Sequence, residues 1–242
     1  MKIEKIKKLT GGRYKIFLDN DTITVYEDVI LNNNILYHDE IDDDMYYKIK
    51  DENIYYELLN SSIKYIAKRL RSEKEIRDYL SKKTLDNYMI DNIVNNLKEQ
   101  RLIDDKRFAQ SYVFDKLNLT NIGIKKIKYD LSTLGISDDI IEDINVEQNN
   151  DKLEKLIIKK INSNTKYSNY MLKSKIIHEM TSLGYDIDDI IDICDSNMKS
   201  DDEIYKREYD KLYDKLKDKY QGSELEYQIK QKLYSKGFKK TG

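Results

Sequence analysis

The sequence predicts a mainly α-helical protein: an elongated tandem array of three-helix repeats, three full and a truncated fourth, preceded by a small α+β domain with a β-hairpin. Three observations predict it. First, one spacing of apolar residues around a glycine recurs: Ile127, Leu131, Gly135 and Ile136; Ile176, Met180, Gly184 and Tyr185; Ile229, Leu233, Gly237 and Phe238. An earlier copy reads Ile76, Leu80, Thr84 and Leu85, with threonine in the glycine slot. The slots stand about 50 residues apart, and a fixed period of that size marks a tandem helical array. Second, proline is absent, which permits uninterrupted helices. Third, the N-terminal stretch alternates with period two, as strands do.

Residues 1–54 form the expected β-containing domain. Tyr14, Ile16 and Leu18 alternate along Arg13–Leu18, Asp19-Asn20-Asp21 signals a turn, and Ile23 and Val25 alternate along Thr22–Tyr26. Lys2 to Leu9 supplies a third strand. Glu27–Leu31 and Asp42–Lys50 read as short helices.

Repeat 1 spans 55–105. Its stripes are Ile63, Ile66, Ala67 and Leu70; Ile76, Tyr79 and Leu80; and Ile90, Ile93, Val94 and Leu97. Repeat 2, 106–149, opens with Phe108, Ala109, Tyr112, Val113 and Leu117. Repeat 3, 150–199, opens with Leu153, Leu156, Ile157 and Ile161. Repeat 4, 200–242, opens with Tyr205, Tyr209, Leu212, Tyr213, Leu216 and Tyr220, and stops after its second helix. In each glycine-bearing copy the glycine suits a helix end, because it takes the left-handed conformation without a Cβ clash. After Gly135, Ser137 caps a further helix, with Asp138 and Asp139 at its positive end. The connection between first and second helices varies in length, which places it on an edge where insertions cost little.

Charged residues make up 36% of the chain and apolar residues 39%, yet the net charge is only −2. Balanced charge with periodic apolar residues indicates a folded, thin-cored array, not a disordered chain. One cysteine, Cys194, excludes an internal disulfide and points to a reducing compartment. No apolar run is long enough to span a membrane, and the N-terminus lacks the core of a signal peptide. A cytoplasmic location follows.

Nothing in the sequence supports an enzyme. His38 and His178 are far apart and read as surface residues. Cys194 lies on the apolar face of a helix and reads as core. Gly11-Gly12-Arg13 lacks phosphate-loop spacing. Asp42-Asp43-Asp44, Asp138-Asp139 and Asp188-Asp189 lack calcium-loop spacing and sit at helix starts, where acids are expected. No metal or cofactor is implied.

Charge distribution is more informative. Between Lys64 and Lys83 stand Lys64, Lys68, Arg69, Arg71, Lys74, Arg77, Lys82 and Lys83 against Glu73, Glu75 and Asp78. Lys125, Lys126 and Lys128 continue the bias, whereas Asp138 to Asp151, including Glu147, carries acids and no base. The basic stretch is either a contact surface for a polyanion or acidic partner, or an ordinary exposed face. It carries no base-reading motif, so phosphates would be its target on nucleic acid.

The run Arg101-Leu-Ile-Asp-Asp-Lys-Arg-Phe-Ala-Gln-Ser-Tyr112 resembles the hallmark of the RecX family, the regulators of RecA recombinase. Arg69–Leu80 is similar to that family's first-repeat segment, and Gly123–Ile136 to its second. The N-terminal hairpin resembles the β extension of members from low-GC Gram-positive bacteria. Thr84, in place of glycine, and Ile124, where proline is common, depart from the pattern. The resemblance implies a non-enzymatic monomer that lies along the RecA–DNA filament and restrains ATP hydrolysis and strand exchange in recombination, repair and the SOS response. It implies that Lys68, Arg69, Arg71, Lys74, Arg77, Arg107, Lys125, Lys126 and Lys128 face RecA or DNA phosphates, with weak contact to free DNA. Leu102, Asp104, Asp105, Phe108, Ala109, Tyr112 and Gly135 then serve structure, the acids capping the next helix and the aromatics packing between repeats. A general DNA-binding repeat module and a helical scaffold for an unrelated partner are the alternatives.

Overall fold

The computed structural model describes residues 1–144 and 150–239. Glu147 and the expected repeat ends at 149 and 242 lie outside the described residues. The chain forms two compact units, Met1–Ala109 with Leu134–Ile136, and Gln110–Thr133 with Ser137–Gly242.

The first unit opens with an antiparallel sheet in the order β1 (Ile3–Leu9), β2 (Arg13–Leu18), β3 (Thr22–Tyr26). Ile16 pairs with Ile23 and Tyr14 with Val25, so the alternating apolar residues share one face. Gly11 and Gly12, at φ +72° and +65°, turn β1 into β2. Helix α1 (Glu27–Asn32), a 3-10 turn (Ile35–Tyr37) and the start of α2 (Asp43–Ile66) cover that face. Ile16, Val25, Val29, Ile30, Ile35, Ile41 and Ile49 fill the core.

Helix α2 departs from expectation. In place of a short helix over 42–50, one helix of 24 residues runs to Ile66, and the boundary at 54 falls inside it. Neither glycine nor proline interrupts it, and its apolar face shifts along its length. Met45, Tyr46 and Ile49 pack on the sheet, while Leu58, Leu59, Ile63 and Ile66 join the next core. Ala67 is the C-cap, and Leu70 lies beyond the helix and is exposed. The stripe through Ala67 and Leu70 is therefore corrected to Leu58, Leu59, Ile63 and Ile66.

Helices α3 (Glu73–Leu80) and α4 (Asn87–Glu99) complete that core with Ile76, Leu80, Ile90, Ile93, Val94 and Leu97. Helix α5 (Asp105–Leu119) follows. The second unit contains α6 (Ile124–Thr133), α7 (Asp138–Glu142), α8 (Asn150–Asn162), α9 (Asn169–Ser182), α10 (Ile187–Asn197), α11 (Asp202–Leu216) and α12 (Gly222–Tyr234). Helices α8–α10 share a core of Leu153, Ile157, Leu172, Ile176, Met180, Tyr185, Ile190 and Cys194. Helices α11 and α12 share Leu212, Leu216, Leu225, Ile229, Leu233 and Phe238. Cys194 is fully buried, and burial raises its thiol pKa. His38 and His178 are exposed. Ser137 is the N-cap of α7 without a side-chain capping bond.

The glycines do more than stop helices. Gly184 and Gly237 each take φ +89°, and each closes its helix with paired bonds: Gly184 N–H to the Thr181 carbonyl and Tyr185 N–H to the Met180 carbonyl; Gly237 N–H to Tyr234 and Phe238 N–H to Leu233. Gly135 takes φ +82°. Each glycine turn also lies against the start of another helix. A Cβ on Gly135 would stand 2.6 Å from the Lys74 Cβ in α3. On Gly184 it would stand 2.5 Å from the Lys126 Cβ and 2.9 Å from its Cα in α6, and on Gly237 2.6 Å from the Met171 Cβ in α9. The carbonyl just before each glycine accepts a hydrogen bond from the N-cap residue of the contacted helix. Leu134 accepts from the Ser72 hydroxyl at 2.8 Å, Leu183 from the Gly123 N–H at 2.7 Å, and Lys236 from the Ser168 N–H at 3.1 Å. Gly123 needs its bare Cα as well, since a Cβ there would stand 2.6 Å from the Gly184 carbonyl carbon.

The Thr84 exception follows from this joint. The earlier copy has no preceding helix set to receive its turn, Thr84 does not take positive φ, and Leu85 is 94% exposed. Ile136, Tyr185 and Phe238, its counterparts, are at most 5% exposed. Leu85 is thus no core residue.

Gly184→Ala would force a side chain into the left-handed region and against the α6 backbone. We expect a loss of about 2 kcal/mol or more, read as a lower urea midpoint. Thr84→Gly should stay within about 1 kcal/mol of the parent. Equal midpoints for Gly184→Ala and the parent would contradict the joint.

Candidate partner-binding surface

The 101–112 run is a junction built from helix ends. Arg101 takes φ +56° after α4; its N–H reaches the Lys98 carbonyl at 2.8 Å, and the Leu102 N–H reaches Leu97 at 2.9 Å. Leu102 packs half-buried on the α2–α4 core. Asp104 accepts from the Arg107 N–H at 3.0 Å and so caps its own helix, α5. Asp105 reaches back instead, accepting from the Glu73 N–H at 2.8 Å at the start of α3. The two acids thus divide the work: one caps the following helix as expected, the other caps an earlier one. Asp201 repeats the Asp105 contact where the Gly237 turn meets its helix, accepting from the Asn169 N–H at 2.6 Å at the start of α9. Phe108 and Ala109 are buried, and the Tyr112 hydroxyl stands 3.4 Å from Asp130. Burial raises the Asp105 pKa, and the neighbouring Glu73 charge adds to the rise, although the Glu73 N–H opposes it.

The arginines of the basic stretch are bound into the start of α3. Ser72 and Glu75 form a capping box. Glu75 also takes Arg69 at 2.5 Å and Arg71 at 3.2 Å. The Arg71 guanidinium lies 3.8 Å over the Tyr65 ring, and Tyr65 stacks on Tyr79 with centroids 4.4 Å apart. Arg77 bridges Glu73 at 2.8 Å and Asp91 at 2.6 Å, and Lys98 also pairs with Glu73. Lys74 lies beside Gly135. Arg107 is exposed and donates to the Arg101 carbonyl at 3.1 Å. In the second unit Lys125 pairs with Asp186, Lys126 with Asp130 at 3.1 Å, and Lys128 is half-buried.

The structure therefore gathers Lys68, Arg69, Arg71, Lys74 and Arg77 around α3. Lys125, Lys126 and Lys128 belong to the other unit. Sequence charge counting missed the compensation. Arg71–Glu75 and Glu73–Arg77 are four-residue pairs legible in the sequence; Asp91, brought in by α4, is not. Once these pairs are set aside, Lys64, Lys68, Lys82 and Lys83 remain exposed with no ion pair among the described residues. Lys83 stands 4.9 Å over Tyr79. Burial raises the Tyr79 hydroxyl pKa, and the ammonium groups of Lys83 and Lys68 help bring it below its ordinary value.

The fold and this surface define a helical-repeat interaction protein. Residues 59–97 match the first three-helix domain of RecX, and residues 104–143 match the second. Regulatory protein RecX of Oceanobacillus iheyensis is 29% identical over 98% of this chain and 94% of its own. The Streptococcus agalactiae regulatory protein RecX is 31% identical over 98% of this chain and 93% of its own. A crystal structure of regulatory protein RecX shares the fold with a TM-score of 0.68 and 24% identity, over 81% of this chain and all of that one. The chain belongs to the RecX family, the non-enzymatic regulatory proteins that modulate RecA. No described helix is long and apolar enough to cross a membrane.

Burial raises the Glu75 pKa, but Arg69, the Ser72 N–H and Arg71 more than offset it, holding the carboxyl below its ordinary value. A depressed folded-state pKa contributes stability above the unfolded value that is lost as pH falls through the folded one. Glu75→Gln should cost about 1–2 kcal/mol at pH 7. The gap between variant and parent should narrow as pH falls through the depressed Glu75 pKa. A pH-independent gap in thermal melts would contradict this role.

Proposed function

We propose that this protein acts in the cytoplasm as a monomer that binds the RecA–DNA filament and restrains its ATP hydrolysis and strand exchange. The observation that carries the reading is the set of uncompensated lysines, Lys64, Lys68, Lys82 and Lys83, beside a charge-neutralised frame of arginines and acids. Lysine ammonium groups are point charges suited to phosphates or to an acidic protein face. Arg69, Arg71 and Arg77 hold the start of α3 and so fix where those lysines stand; Arg107, Lys125, Lys126 and Lys128 supply further positive charge. Contact with free DNA is weak and phosphate-directed. The lone buried Cys194 is in keeping with a reducing compartment. The helices group into repeats of α2–α4, α5–α7 and α8–α10, with α11–α12 as the truncated fourth and the sheet domain sharing α2 with the first.

The test is a titration of the protein into cognate RecA turning over ATP on single-stranded DNA. ATPase should fall at or below stoichiometric amounts. Lys68→Glu with Lys83→Glu should raise the amount needed about tenfold. No effect of the parent protein under any order of addition would overturn the reading. Equal potency of the folded double variant would displace the contact surface.

A further inference from the structure

The connection between α8 and α9 is longer than its counterpart between α5 and α6, and the repeat architecture does not need the extra length. Asn164 organises it. Its side-chain oxygen accepts from the Lys166 N–H at 3.3 Å and the Tyr167 N–H at 3.0 Å, and its amide donates to the Tyr167 carbonyl at 2.7 Å. The loop is thus a self-bonded turn that presents Lys166 and Tyr167 at a fixed place. Beneath it is a cleft of about 290 Å³ between the end of α8 and the first half of α9, lined by Ser163, Thr165, Lys166, Tyr167 and Lys175 among others.

The charge in this cleft is unbalanced. Lys160 is paired with Glu179 at 2.7 Å. Lys166 and Lys175 both turn to Tyr167, with ammonium groups 4.9 and 4.8 Å from the ring centroid, and neither has an ion pair among the described residues. The buried acid Glu208 is already paired with Lys236 and lies within 3.7 Å of Lys211. Two like charges held at one ring repel each other, and an anion bound in the cleft they line would relieve that repulsion. The contact to Lys166, with the charges of Lys166 and Lys175, lowers the Tyr167 hydroxyl pKa, the local sign of that positive field.

We propose that this cleft is an anion site for the phosphodiester backbone of single-stranded nucleic acid, separate in sequence and in structural unit from the lysines beside α3. Lysines and small hydroxyls, here with Thr165, are the groups that contact phosphate. The Tyr167 ring already carries two ammonium groups, so it does not serve as a stacking platform, and the site reads backbone and not base. The inference rests on the reading that the protein works on DNA.

The experiment is fluorescence anisotropy of a labelled oligo(dT) with the full protein and no RecA, from 50 to 200 mM salt, comparing the parent with Lys166→Gln/Lys175→Gln. Losing two phosphate contacts should flatten the log–log salt slope by about 1.4, so the parent should lose about sevenfold more affinity than the variant across that range. Lys166→Arg/Lys175→Arg should restore the parent slope, and Lys160→Gln should change it little. An unchanged slope and affinity in the doubly neutralised variant overturns the site. Unchanged DNA binding with weakened inhibition of RecA also overturns it, and assigns the cleft to an acidic protein face. Because the binding assay holds no RecA, failure of the site is distinguishable from failure of the proposed regulation.

Discussion

The fold depends on a close approach of backbone to backbone. A left-handed glycine turn at the end of one helix sits on the first turn of another, and the carbonyl before the glycine takes a hydrogen bond from that helix's N-cap residue. Helix starts leave N–H groups without intrahelical partners, and burial makes such orphans costly. Here the start of α9 is answered from both sides: Lys236 bonds Ser168, Asp201 bonds Asn169, and Ser168 bonds Met171. The start of α3 is answered by Asp105, by its own capping box and by Leu134. Any side chain at Gly237 or Gly135 would separate these partners, so steric space and hydrogen bonding impose the same residue.

The joint also explains the charge pattern. Holding the start of α3 in place takes Ser72, Glu73 and Glu75, and these acids then draw in Arg69, Arg71, Arg77 and Lys98. Much of the positive charge in this stretch is therefore structural. What remains without an ion pair among the described residues is a smaller set of lysines on either side, at the end of α2 and after α3. The proposed function benefits from this division, because exposed lysines give salt-sensitive, reversible attraction while the paired arginines keep the surface in shape.

Much of this was legible in the sequence. Strands β2 and β3 follow from alternation at Tyr14, Ile16, Leu18, Ile23 and Val25, with Lys2 to Leu9 expected as the third strand, and α3, α4 and α9 follow from their stripes. The family resemblance carried by residues 101–112 agrees with the relatives found. Other features were not legible. The length of α2 was hidden because its apolar face rotates from the sheet to the helical core, which blurs a single stripe. Gly135 signals a helix end in sequence, but its contact with Lys74 joins residues far apart in the chain. Asp105 reads as an N-terminal acid of α5, and only the fold turns it toward Glu73. Leu85 fits the apolar pattern yet stays exposed, because pattern alone does not reveal that the left-handed turn is missing at Thr84.

The most direct measurement of the joint is native-state amide hydrogen exchange at Gly123 and Ser168. An N-cap amide is ordinarily open to water, whereas these two donate to Leu183 and Lys236. Protection at both comparable to that of Ile127 and Ile176 inside α6 and α9 is the predicted result. Exchange as fast as at Gln221, the N-cap of α12 that no glycine turn covers among the described residues, would contradict it.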